Sequence, residues 1–184
     1  MVETIRTQRL VLRPLRASDA GPIALHASDA RLARMTALIP HPYPPGAAEA
    51  FVEASLAGRR GEEVWAIDAT PVEGEELIGI LGFKRASGEL GYWVGPPYWN
   101  AGYATEAVRA LVAHLFARPD VAALRASVFA DNLSSVAVLA KAGFSEAGGT
   151  RLYSVARGEE VAGRLYRYER TNWLARGPVH GAGR

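Results

Sequence analysis

Between Val94 and Thr105 the hydrophobic pattern of this chain changes period, and no other feature constrains the fold as much. Before the change come three short apolar runs, Val64 to Ile67, Leu77 to Phe83 and Glu89 to Val94, separated by Pro71 to Glu76 and by Ala86-Ser87-Gly88. Connections this short join antiparallel neighbours, so the spacing predicts a meander. After the change, Thr105 to Phe116 puts Ala107, Val108, Leu111, Val112, Leu115 and Phe116 on one helical face. Arg9 to Leu15 alternates apolar and charged residues as a strand does, and Ser18-Asp19 offers a helix N-cap ahead of Ile23. Ile39 to Gly46 holds four prolines and must be a loop, because each lacks a backbone donor and fixes φ. Helical spacing returns from Ala47 to Gly58. Leu124 to Phe129 reads as a strand, Ser134 to Ala142 as a helix closed by Gly143, and Phe144 onward as strand, with Tyr166 and Tyr168 in a last strand. This is an α+β pattern with a mixed sheet.

Composition narrows the function. The 184 residues suit a single domain, taken as 1–174, with a glycine-rich tail from Ala175 to Arg184 that has no apolar period. Lys and Arg number 21 against 19 Asp and Glu, a formal charge of +2 with no basic run to concentrate it, so a nucleic-acid partner is not expected. There are no cysteines, which removes disulfides, zinc–thiolate sites and any cysteine nucleophile. The four histidines, His26, His41, His114 and His180, lack ligand spacing, and no metal is expected. No apolar run reaches the roughly 18 residues of a membrane span, and the N-terminus lacks a signal-peptide pattern. A cytoplasmic location is the expectation.

Two stretches carry chemistry. Gly95-Pro96-Pro97-Tyr98-Trp99-Asn100-Ala101-Gly102-Tyr103-Ala104-Thr105 joins a strand to the best helix in the chain. Small residues at 101, 102 and 104 let the backbone turn tightly and approach a ligand, while the first N–H groups of the helix lack internal partners. Such a turn can hold an anion, or it can be only a turn. It is neither a dinucleotide fingerprint nor a P-loop. The second stretch, Asp131-Asn132-Leu133-Ser134-Ser135 through Gly143-Phe144, opens and closes a short helix, and Asn132 or Ser134 serves equally well as its cap.

Together, and in this order with Thr7 to Arg13 and Glu89 to Val94, these stretches resemble the GNAT superfamily of acyl-coenzyme A N-acyltransferases. The resemblance is to its RimJ/RimL-like branch, which acetylates protein N-termini. It implies a central, mostly antiparallel mixed sheet flanked by about four helices, with acetyl-coenzyme A and a primary amine as partners. It further implies that the N–H groups of Asn100 to Thr105 bind the pyrophosphate and that the strand end at Trp93 and Val94 splays to receive the pantetheine. Gly95 would supply a bulge that opens that edge. Asn132 and Ser135 would face the thioester. Trp99 replaces the family's usual Gln or Arg, whereas Gly102 and Ala104 keep the small positions. Dimers occur in this family, but nothing in the sequence decides the point.

Acyl transfer needs a neutral amine. An α-amine titrates near 8 and a lysine near 10.4, so a peptide N-terminus is the easier acceptor. Glu89 opens the strand where several family members place a general base, although a solvated residue after the Ser87-Gly88 turn would look the same. Many relatives carry a proton-donating tyrosine in the last helix. Here that slot holds Leu139, leaving Ser135 to stabilise the thiolate by hydrogen bonding. Tyr92 and Trp93 alternate faces, so one packs in the core and the other lines the acceptor cleft. Small amines and a non-catalytic acyl-coenzyme A-binding module are the alternatives. With no cysteine for an acyl-enzyme, direct attack by the amine is the simplest mechanism.

Overall fold

The computed structural model describes residues 2–177. Its strands are β1 (Ile5–Arg6), β2 (Val11–Pro14), β3 (Glu63–Asp68), β4 (Gly79–Lys84), β5 (Glu89–Val94), β6 (Ala123–Phe129), β7 (Ser145–Ser154) and β8 (Glu159–Glu169). Its helices are α1 (Ala20–Ala27), α2 (Ala30–Ala33), α3 (Ala47–Leu56), α4 (Thr70–Glu73), α5 (Tyr103–Phe116), α6 (Leu133–Ala142) and α7 (Arg170–Arg176). All eight strands form one sheet in the order β1-β2-β3-β4-β5-β6-β8-β7. Every neighbouring pair is antiparallel except β5 and β6. This is an α+β fold with the mixed, mostly antiparallel sheet that the resemblance implies.

Strand alternation divides the core between two faces. Leu81, Phe83, Leu90 and Val94 point to α5 and pack on Val108, Leu111 and Leu115. Ala66 and Ile80 point the other way, onto Ile23 of α1 and Ala48 and Val52 of α3. The second cover stops short: Arg125, Leu165 and Arg167, on β6 and β8, are exposed. Among the described residues no helix is long and apolar enough to cross a membrane.

Several local expectations needed tertiary information. Asp19 precedes α1 but makes no side-chain cap. Its carboxylate instead accepts two hydrogen bonds of 2.9 Å from Arg13, whose Nε donates to Asp68 at 2.8 Å. Arg13 also donates to the carbonyl of Glu76. This buried ion network ties β2, β3 and the start of α1 together. Helix α4 interrupts the connection between Pro71 and Glu76. Helix α7 takes in the first two residues of the expected tail, and residues 178–184 lie outside the described part.

Candidate active site

Strands β5 and β6 meet at one point only. Glu89 is in register with Arg125, and the Arg125 N–H donates to the Gly88 carbonyl at 2.8 Å. Beyond that apex the strands part, so the edge of β5 from Gly91 to Val94 faces a cleft instead of a neighbour. Trp93 and Val94 stand at its wide end, Val94 five residues from Glu89. At the rise of a strand that is about 17 Å.

The wide end is closed by the loop into α5. Asn100 and Gly102 both have positive φ, 62° and 82°, and this pair of left-handed residues turns the backbone into the helix. Consecutive N–H groups from Asn100 to Thr105 donate to no other backbone group among the described residues, and the first helical bond is Glu106 N–H to Gly102. Six free donors in a row at the positive end of a 14-residue helix make an anion cradle. Side chains from the N-terminal segment hold it. Arg9 donates to the Ala101 carbonyl at 3.0 Å and to Glu106 at 2.7 Å, while the Thr7 hydroxyl and the Arg9 N–H also bond Glu106, at 2.6 and 2.8 Å. Burial alone would raise the Glu106 carboxyl, but these donors outweigh it and hold it below the usual carboxylate range. Sequence patterns alone give Thr7, Arg9 and Glu106 no role in this anchoring. Their separation along the chain hid it.

Trp99 is half-exposed, and its indole donates to the Val94 carbonyl at 2.6 Å. It therefore fastens the loop to the end of β5. Tyr103 is buried, donates its hydroxyl to Glu73 of α4, and presents only its backbone to the cradle. Ala101, Gly102, Ala104 and Thr105 likewise contribute main-chain donors. The expected bulge at Gly95 is not present: the β4–β5 register is unbroken, and the Gly95 N–H continues it to Ile78 at 2.7 Å. Gly95 is required for packing, since a Cβ there would lie 2.5 Å from the His26 ring. That imidazole is buried edge-on against Trp93 and Tyr98, and burial lowers its pKa.

On the far side of the cleft, Asn132 caps α6 by accepting from the Ser135 N–H at 3.1 Å, while its amide donates to Met35 at 3.2 Å. Leu139, in the slot where the resemblance implies a tyrosine, is fully buried in the core under α5. A tyrosine does reach this place from elsewhere. Tyr92 of β5 donates its hydroxyl to the Ser135 carbonyl at 3.2 Å, bridging strand and helix, and burial pushes its pKa up to about 12. It lies on the α5 side, and Trp93 on the α1–α3 side. Glu89 is half-buried at the apex, 3.5 Å from Lys84. The fold thus gathers Trp93, Val94, Trp99, the cradle residues, Asn132 and Ser135 around the cleft, and sets Glu89 at its narrow end. Among the described residues no group of three or more His, Asp or Glu side chains converges as a metal site would.

Comparisons with known proteins agree with this architecture. Residues 9–145 match the family described as acetyltransferase (GNAT) domain. The uncharacterized N-acetyltransferase p20 of Bacillus licheniformis is 27% identical over 168 residues, covering 87% of this chain and 92% of that protein. Among solved structures, the ribosomal L7/L12 α-N-protein acetyltransferase RimL in complex with coenzyme A superposes with a TM-score of 0.78 at 19% identity, covering 91% of this chain and 98% of that one. Spermidine N-acetyltransferase from Vibrio cholerae, with coenzyme A and spermine, gives 0.75 at 15% identity over 91% and 99% of the two chains. The fold is shared across proteins with quite different acceptors. The chain belongs to the GNAT acetyltransferase domain family.

Proposed function

We propose that the protein is an acetyl-coenzyme A-dependent N-acetyltransferase that transfers acetyl directly to an α-amine, such as a peptide N-terminus, at the β5–β6 cleft. The observation that carries the reading is the run of six free N–H groups from Asn100 to Thr105, opening onto the unpaired edge of β5. A pyrophosphate satisfies those donors without needing a lysine, and the freed strand edge supplies backbone partners for the amides of a pantetheine arm. The thioester then lies between β5 and the start of α6.

Glu89 takes the proton shed by the attacking nitrogen, directly or through water, as the new amide forms and the thioester carbon–sulfur bond breaks. The electron pair stays on sulfur, where the Ser135 hydroxyl and Tyr92 stabilise it. With its pKa near 12, Tyr92 remains protonated and is a weaker acid than a thiol, which titrates near 8.5. Its role is therefore hydrogen-bond donation to the developing thiolate, for which its single O–H turns from the Ser135 carbonyl to the sulfur, with little net proton transfer.

The experiment is thiol release from acetyl-coenzyme A in the presence of N-terminal peptides, amino acids, polyamines and aminoglycosides. Acceptor-dependent release with an α-amine is expected, and no release with any amine would overturn the reading. Glu89→Gln should slow turnover most at low pH, where the least acceptor is neutral; an unchanged rate would remove Glu89 as the base.

A further inference from the structure

At the apex of the cleft, on the sheet face turned away from α5, lies a depression of about 370 Å3. Glu89 of β5, Arg125 and Ser127 of β6, and Leu165 and Arg167 of β8 line it. Register sets its charged residues in one row, since Glu89 is opposite Arg125 and Arg125 is opposite Arg167. Adjacent strands lie about 4.8 Å apart, so the row runs from carboxylate to guanidinium to guanidinium within about 10 Å of backbone. Alternation aims it outward. Leu124, Ala126, Tyr166 and Tyr168 enter the core beneath α5, which leaves Arg125 and Arg167 on the open face.

Two like charges directly opposite each other weaken a sheet. Glu169 pairs with Arg167, and Lys84 occupies Glu89. Arg125 stands between them with no paired carboxylate among the described residues. Arg125 is thus the cation in the row that can take an added carboxylate, and it stands opposite Glu89, the residue placed to receive the amine.

We infer that this row selects the acceptor: a primary amine carrying a carboxylate a few bonds away, with the amine toward Glu89 and the carboxylate on Arg125 beside Arg167. The inference rests on the acetyltransferase reading and narrows its acceptor. A guanidinium can grip a carboxylate through two parallel hydrogen bonds. A polyamine or aminoglycoside would instead bring further cations against Arg125 and Arg167, which is discrimination by repulsion. A free amino acid and a peptide with an acidic residue near its N-terminus share the required chemistry.

The test compares kcat/KM for matched acceptors: an α-amino acid against its amide, a peptide with acidic residues after its N-terminus against the same peptide with their amides, and spermidine. In at least one pair the acidic member should be preferred by about tenfold or more, and the pair that shows it identifies the source of the carboxylate. Arg125→Glu should erase that preference, Arg125→Lys should keep part of it, and rising salt should shrink it in the unaltered protein. A ratio near one in both pairs, a preference for spermidine, or a ratio indifferent to Arg125→Glu would overturn the inference. Equal turnover of acidic and neutral acceptors leaves the acetyltransferase reading standing; no turnover of any amine defeats both.

Discussion

Single side chains at this site do more than their position in the sequence suggests. Tyr92 could be read only as one of two alternating aromatics, because its partner, the Ser135 carbonyl, is 43 residues away. Tyr92→Phe removes one donor to the thiolate and should lower kcat by about tenfold or more while leaving the fold intact, as kinetics beside a thermal melt will show. Glu106 tests the anchoring of the cradle. Its carboxyl is held below the ordinary range when folded, so the stability it contributes is present above the unfolded pKa and lost as pH falls through the folded one. The melting temperature of the unaltered protein should exceed that of Glu106→Gln at pH 7, and the gap should begin to shrink as pH falls through the ordinary carboxylate range and close once pH passes below the folded-state pKa. Gly95→Ala must push a methyl into the His26 ring and should cost about 2 kcal/mol in denaturant unfolding.

At the scale of elements, strong local signals were legible and long-range ones were not. Strand β5 has the bounds Glu89–Val94 that alternation indicates, and α5 ends at Phe116 as its apolar face does. It starts at Tyr103, two residues before the periodic stretch, because the left-handed Gly102 begins the helix. The fourteen-residue periodic helix announces itself, whereas α4 and α7 are too short to show a period. Leu139 looked like a missing functional group and is a core residue, a distinction that burial makes and spacing cannot. The cradle depends on the α5 start. Gly102→Val places a β-branched residue at φ 82°, which should destabilise the protein by about 1–3 kcal/mol and weaken coenzyme A binding by calorimetry at least about tenfold. Undiminished affinity would place the pyrophosphate elsewhere.

For the whole molecule, the meander and the mixed sheet follow from short connections and a change of period, but the parting of β5 from β6 is a property of tertiary pairing. Family resemblance anticipated it; residue patterns alone did not. The same holds for the buried network of Arg13, Asp19 and Asp68, where Asp19, a cap by its place in the sequence, accepts the Arg16 N–H and also pairs with Arg13 of the sheet. Asp19→Ala removes one of the two carboxylates on the buried Arg13 guanidinium, leaving Asp68 as its remaining counter-ion, and should cost about 2 kcal/mol in chemical unfolding. The architecture brings an anion cradle, an open strand edge and a carboxylate along one cleft, and the cysteine-free chain has no thiol to carry the acyl group. The decisive measurement is mass spectrometry of a reaction containing the protein, acetyl-coenzyme A and an acidic N-terminal peptide. An acceptor heavier by one acetyl group on its α-amine, with the protein's own mass unchanged, is the expected result; an unmodified acceptor, or acetyl carried on the protein before it reaches the peptide, would contradict direct transfer in the β5–β6 cleft.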